Sequence, residues 1–280
     1  MTRRIIAGLV TFNPDMDRLS ENINAVLPQV DELVIFDNAS LETDRISAIA
    51  KDCGVTLLRA GYNNGLSHAY NRIFEYAASK AAQSILLLDQ DSVCSDGMVR
   101  SLASCTEPET AIVSPRIVDR NLRDDRDQVP SGVAEVDHCI TSGSLCSLEA
   151  WKAVGGYDER FFIDFTDFDF CLRLRAAGFL ILKNNAVTLS HELGQMQQHG
   201  RVIAYNHSAF RNYHMARDMI FYARKHRAAP RNLKVRGRGV VMTYVVLLRK
   251  TAIVGAFEPD RVRRVSALIR GMISATLRRA

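Results

Sequence analysis

Four short apolar runs, each followed by a polar break and, for the first three, a stretch of helical periodicity, fill roughly the first 90 residues, and this alternation constrains the chain more than any other feature. Residues 4–12 read as a buried strand ended by Asn13-Pro14-Asp15, and residues 15–28 carry Met16, Leu19, Ile23, Val26 and Leu27 at helical spacing. Residues 33–36, 55–58 and 85–88 read as three further strands, with helices over 42–52 and 66–80. Strands and helices alternating at this interval are joined most economically as a parallel sheet. Ligands of open α/β sheets bind beyond the carboxyl ends of the strands. Here those ends carry Thr11-Phe12-Asn13, Asp37-Asn38 and Asp89-Gln90-Asp91. Neither a dinucleotide fingerprint nor a Walker loop is present, so a bound nucleotide needs another cradle.

Asp89-Gln90-Asp91 follows four apolar residues, and strand alternation is expected to send the two carboxylates to opposite sides, sharing one ligand by different ends. Carboxylates so placed suit a hard divalent cation that in turn binds a diphosphate. A second acidic segment, from Tyr157 to Phe170, interleaves Asp158, Glu159, Asp164, Asp167 and Asp169 with aromatic residues. Acids among apolar rings hold raised pKa values, as a general base needs, and the same acids read equally well as the dipole-complementing start of a helix. His191 follows a strand expected at 186–189. Residues 119–137 read as a polar loop, followed by a Thr141-Ser142-Gly143-Ser144 turn and a helix from Leu148. Trp151, the lone tryptophan, sits at that helix start and reads as packed core or as a ring for stacking on a sugar.

These motifs together resemble the inverting family 2 glycosyltransferases of the GT-A fold, and within them the bacterial rhamnosyltransferase-like group. The resemblance runs through Val10-Thr11-Phe12-Asn13-Pro14, Asp37-Asn38-Ala39-Ser40, Asn64 to Asn71, Leu88-Asp89-Gln90-Asp91-Ser92, and Gly155 to Cys171-Leu172-Arg173. It implies an α/β, Rossmann-like mixed sheet over residues 1–205 and a basic amphipathic helical region over 206–280. By the resemblance, Thr11, Phe12, Asn13, Asp37 and Asn38 line the base and ribose pocket of a nucleotide-sugar, completed by Asn64, Gly65 and Asn71. Asp89, beside Gln90, contacts ribose or diphosphate; His68 departs from the family, where small residues are usual, and is expected to touch the donor phosphates or sugar. Asp91, with His191, holds Mg²⁺ or Mn²⁺. Asp167 matches the catalytic acidic position, with Asp164 and Asp169 as substitutes. The implied reaction inverts the anomeric centre in a single displacement. It moves L-rhamnose from dTDP-rhamnose to a lipid-linked or cell-surface polysaccharide, or else uses UDP-galactofuranose or another UDP-hexose.

Charge divides the chain. Residues 201–280 hold 18 Lys and Arg against 3 Asp and Glu, leaving 18 against 28 before them. The tail repeats apolar positions at helical spacing among Arg residues, a pattern suited to an anionic membrane surface or to packing against a second subunit. Its helices are expected to break around Pro230 and Gly237, and the apolar stretch from Gly239 is expected to end at Arg249-Lys250, too short to span a bilayer. Aromatic residues do not interleave with Arg in an RNA-binding pattern, and the acidic first part would repel phosphate, so nucleic acid is excluded as a partner. Six scattered cysteines without a CxxC pair, and an N-terminal run too short for a signal peptide, point to a reducing cytoplasm.

Overall fold

The computed structural model describes residues 3–119, 132–191, 197–199, 202–204, 206–233 and 239–277. Most of the polar loop expected at 119–137, and the break expected around Gly237, lie outside them. The chain forms two compact units, Met1–Glu159 with Phe170–Glu192, and Arg160–Asp169 with Leu193–Ala280.

In the first unit β1 (Ile5–Thr11), α1 (Met16–Val26), β2 (Glu32–Asp37), α2 (Thr43–Asp52), β3 (Thr56–Arg59), α3 (Leu66–Ser79) and β4 (Ser84–Asp89) follow the expected alternation. Asp15 caps α1, its side chain accepting from the Asp17 and Arg18 amides. Next come β5 (Val93–Cys94), α4 (Met98–Ala103), β6 (Thr110–Asp119), β7 (Val133–Glu135), β8 (Leu145–Ser147), α5 (Leu148–Ala153), α6 (Thr166–Ala176), whose residues up to Asp169 count with the second unit, and β9 (Leu180–His191). The sheet order is β3-β2-β1-β4-β8-β6-β9-β5, with β7 paired to β9. β1 to β4 are parallel neighbours, while β8 runs antiparallel to both β4 and β6. The sheet is therefore mixed: all parallel from β3 to β4, then antiparallel at β8, parallel again between β6 and β9, and antiparallel where β5 and β7 meet β9.

The unbroken apolar strands follow from burial on both faces. Ile6 and Val10 of β1 join Ile85 and Leu87 of β4 under α3 and α5, while Ala7 and Leu9 join Leu86 and Leu88 under α1, α2 and α4. One turn depends on glycine. Gly143 has φ +78°, and a Cβ there would lie 2.8 Å from Leu189 and 2.9 Å from Pro115. The turn lets the Gly143 amide donate to the Leu87 carbonyl at 2.7 Å, which brings Ser142 to the end of β4.

The second unit contains the two-stranded β10 (Gln197–His199) and β11 (Val202–Ala204), then α7 (Ala209–Lys225), α8 (Val240–Phe257) and α9 (Arg261–Leu277). Ala216 and Ile220 of α7, Leu247 and Val254 of α8, and Leu268 and Met272 of α9 share one core. Gly271 lets α9 approach closely, since a Cβ there would lie 2.3 Å from the Tyr213 carbonyl oxygen. The expectation that the apolar stretch stops at Arg249-Lys250, too short to span a bilayer, is corrected by the length of α8. Both residues are good helix formers, and the helix continues to Phe257, long and apolar enough by length and composition to cross a membrane. Val241, Val245 and Leu248 of α8 and Val262, Ile269 and Ile273 of α9 remain exposed.

Candidate active site

The polar residues at the strand ends form three linked clusters in the first unit. Asp37, at the end of β2, is 1% exposed and is held by Thr11 Oγ1 at 3.0 Å, Ser40 Oγ at 2.6 Å and Thr43 Oγ1 at 3.1 Å. Asn38 ties the next loop, its Oδ1 accepting from the Asn64 amide at 2.9 Å and its Nδ2 donating to the Gly65 carbonyl at 3.2 Å. Asn13 takes φ +50° and bridges both loops, donating its amide to Ser40 Oγ and accepting from the Leu41 amide, each at 2.8 Å. Phe12 is exposed, and its amide donates to Gln90 Oε1 at 2.8 Å. The structure thus brings Thr11, Phe12, Asn13, Asp37, Asn38, Asn64, Gly65 and Gln90 together at one edge.

The second cluster lies at the start of α3. Gly65 precedes the helix with φ +86°, and His68 follows in its first turn, with Nδ1 2.9 Å from Glu159 Oε2. Glu159 also accepts from Asn71 Nδ2 at 2.9 Å. Burial acts to raise the Glu159 carboxyl, yet the hydrogen bonds from Asn71 and His68 and the charges of His68 and Arg72 leave it below the usual carboxylate range. Asn71, expected to complete the wall of the donor pocket, is engaged within the protein. It is 7% exposed, and its amide group is engaged by Trp151, Tyr157 and Glu159. Trp151 is core, stacked on Phe74 with ring centres 5.0 Å apart.

The third cluster gathers carboxylates and an imidazole. Asp89, Asp91 and His191 each offer a ligand atom within 4.8 Å of the others, a set that fits a divalent cation. The expectation that Asp89 and Asp91 diverge is corrected. β4 ends at Asp89, Gln90 and Asp91 form a turn, and residues two apart share a face, so both carboxylates reach one point. His191 arrives through the antiparallel pairing of β5 with β9, in which Val93 faces Ser190. Its Nδ1 lies 3.4 Å from Asp91 Oδ1 and 3.0 Å from Ser92 Oγ. Ser92 Oγ is 2.7 Å from Ser142 Oγ, which accepts from the Asp89 amide at 3.0 Å. Ser92 and Ser142 were not among the expected site residues. Ser92 closes the Leu88-to-Ser92 motif but carries no role of its own there, and the signal for Ser142 was a Gly/Ser turn, which does not say where it lands.

The acids from Asp164 to Asp169 belong to the second unit, and three surroundings separate them. Asp164 pairs with Arg211 at 3.6 Å. Asp169 is 1% exposed and lies 2.5 Å from Lys225 Nζ and 2.8 Å from His226 Nε2, a closed and fully paired setting unlike that of Asp167. Asp167 is half-buried in the first turn of α6, its Oδ1 accepting from the Phe168 amide at 2.8 Å.

In the same unit Asp218 of α7 is fully buried, and burial pushes its carboxyl up to about 6 against the opposing pull of Arg217 and two backbone amides. A folded-state value above the unfolded one means that the stability it contributes is full below the ordinary carboxylate range and is lost as pH rises through about 6. Thermal or denaturant unfolding should therefore show the wild type losing on the order of 2–3 kcal/mol relative to Asp218→Asn between pH 4 and pH 7. Parallel pH profiles for the two proteins would contradict this.

A parallel α/β half continued by a mixed half, with a carboxylate and histidine cluster beyond the strand ends, defines a glycosyltransferase of the GT-A fold. The chain belongs to glycosyl transferase family 2, which matches residues 8–174. It is similar to the dTDP-rhamnosyl transferase RfbF of Shigella flexneri, with 29% identity over 80% of this chain and 81% of that protein. It is also similar to the low-salt glycan biosynthesis hexosyltransferase Agl10 of Haloferax volcanii, at 23% identity over 76% of each. Among solved structures, the mannosyltransferase PcManGT of Pyrobaculum calidifontis, in complex with GDP-Man and Mn²⁺, superposes with a TM-score of 0.62. That superposition covers 99% of this chain and 88% of that one at 14% identity, a likeness of fold.

Proposed function

We propose that the protein transfers L-rhamnose from dTDP-rhamnose to a lipid-linked or cell-surface glycan with inversion at the anomeric carbon. The observation that carries this reading is the Asp89, Asp91 and His191 cluster at the end of β4. The similarity to a dTDP-rhamnosyl transferase supports the choice of sugar. Phe12, Asn13 and Gln90 face the base and ribose, on a frame held by Thr11, Asp37, Asn38, Asn64 and Gly65. His68 meets the diphosphate or the sugar. Asp89, Asp91 and His191 would hold a divalent cation, which would supply positive charge for the departing diphosphate. Asp167 takes the proton of the acceptor hydroxyl as that oxygen attacks.

Equilibrium binding of dTDP, UDP and GDP, with and without Mg²⁺ or Mn²⁺, tests the reading. Metal-dependent preference for dTDP is the expected result. Preference for UDP would move the donor to a galactofuranosyl or other hexosyl class, and absence of nucleotide binding would remove the proposed donor.

Residues 1–205 carry the transfer chemistry in this reading, and 206–280 hold the enzyme on the cytoplasmic face of an anionic membrane. Support comes from the exposed apolar positions of α8 and α9, which sit among Arg249, Arg261, Arg263 and Arg270. Co-sedimentation with vesicles rich in anionic phospholipid should exceed that with neutral vesicles. It should persist in part at 1 M salt, where charge attraction is screened within about 3 Å. Leu248→Asp with Ile273→Asp should abolish the salt-resistant part. Retention of that part, or a dimer that hides these residues, would instead assign the face to a second subunit.

A further inference from the structure

Residues 160–165 have no regular structure of their own, and Phe165 adopts φ +63° immediately before α6 begins. Backbone amides in such a segment need partners, and an unusual φ persists only where the surroundings fix it. Within the second unit one helix supplies both. Asp218 Oδ2 accepts from the Phe162 amide at 3.0 Å and the Ile163 amide at 3.4 Å, while Arg217 Nη2 donates to the Arg160 carbonyl at 3.1 Å. Two turns further along, Lys225 and His226 grip Asp169. Between these grips Phe221 packs on Phe161 with ring centres 4.9 Å apart, and Tyr222 packs on Phe165 at 5.2 Å. Residues 218, 221, 222 and 225 fall on one side of a helix, so the contacts form a continuous stripe.

We propose that this face of α7 is a splint that fixes the segment bearing Asp167, with Asp218, Lys225 and His226 as positioning residues. The inference rests on the reading of Asp167 as the base. Asp218 is fully buried, and the charged group facing it is Arg217 of its own helix. The segment presents backbone amides to it. A carboxylate so placed is costly to keep dry unless its hydrogen bonds are used, and here its two oxygens are divided between Arg217 and the segment. Misplacement of a reacting group by about 1 Å costs on the order of 10²-fold in rate. Loosening the splint should therefore lower turnover without touching the nucleotide.

The test compares Asp218→Ala with Asp218→Asn, whose side-chain oxygen still accepts from the segment. For Asp218→Ala, kcat should fall roughly 10–100-fold, dTDP affinity should stay within about twofold of wild type, and the Phe162 and Ile163 amides should exchange hydrogen faster. Asp218→Asn should restore slow exchange and most of kcat at neutral pH. Unchanged kcat and exchange in Asp218→Ala, or Asn no better than Ala, would overturn the proposal. If Asp218→Ala does not fold, Lys225→Met replaces it, and unaltered exchange at residues 166–169 then refutes the splint. Wild-type failure to bind dTDP would count against the donor reading alone, because the exchange result is independent of it.

Discussion

Asp167→Asn is expected to lower turnover by roughly 10²–10⁴-fold, the range a positioned general base contributes. Of the three candidate acids, Asp169 is closed in by Lys225 and His226, and Asp164 is paired with Arg211. Asp167 alone of the three is both partly exposed and set in the first turn of α6, where an acid complements the helix dipole and is held in direction by its bond to the Phe168 amide. Asparagine preserves that bond and the side-chain volume but cannot accept a proton, so the fold and the affinity for dTDP should be unchanged. The measurement is steady-state turnover alongside equilibrium nucleotide binding. Turnover within about threefold of wild type would move the base elsewhere, with Asp164→Asn as the next variant to assay.

The second large effect is expected at Asp91. Asp91→Asn removes one of two carboxylates from the cluster with His191 and should weaken Mn²⁺ binding by at least 10–100-fold, the range already seen when only a supporting partner of a metal ligand is lost. Metal-dependent binding of dTDP should fall with it, because the cation supplies the charge that the diphosphate meets. Direct titration of Mn²⁺ into the nucleotide-free protein separates this loss from any defect in turnover. Unchanged Mn²⁺ affinity and unchanged metal-dependent nucleotide binding would exclude Asp91 as a ligand. The two variants should differ in kind: Asp167→Asn binds donor and does not turn it over, whereas Asp91→Asn does not bind donor in the metal-dependent manner.

The first four strands were legible because burial on both faces writes them as unbroken apolar runs. β6 was not, since Pro115 interrupts its apolar pattern. Its pairing with β9 shifts register at that point, an irregularity that periodicity does not reveal. β8 is three residues long and owes its place to its neighbours β4 and β6. At the site, residue types identified Asp89, Asp91 and His191, but it is the pairing of β9 with β5 and β6 that brings the histidine to the carboxylates. Asp167 and Asp169 read alike in sequence, being two residues apart among aromatic rings. What separates them is Lys225 and His226, more than 50 residues further along the chain, which local patterning cannot see. The Arg249-Lys250 pair interrupts hydropathy but not helicity, which is why α8 runs past it.

The contact at Gly271 has a mechanical consequence. With 100° of turn per residue, Tyr213, Ala216 and Ile220 lie on one side of α7, toward α9, while Asp218, Tyr222 and Lys225 lie on the other. At Gly271 there is no side chain to act as a cushion, so α9 bears almost directly on the α7 backbone. A closely packed interior transmits strain with little compression. A load applied to the exposed stripe of α9 therefore passes into α7 as a shift of a stiff rod, and the acids gripped on its far side move with it.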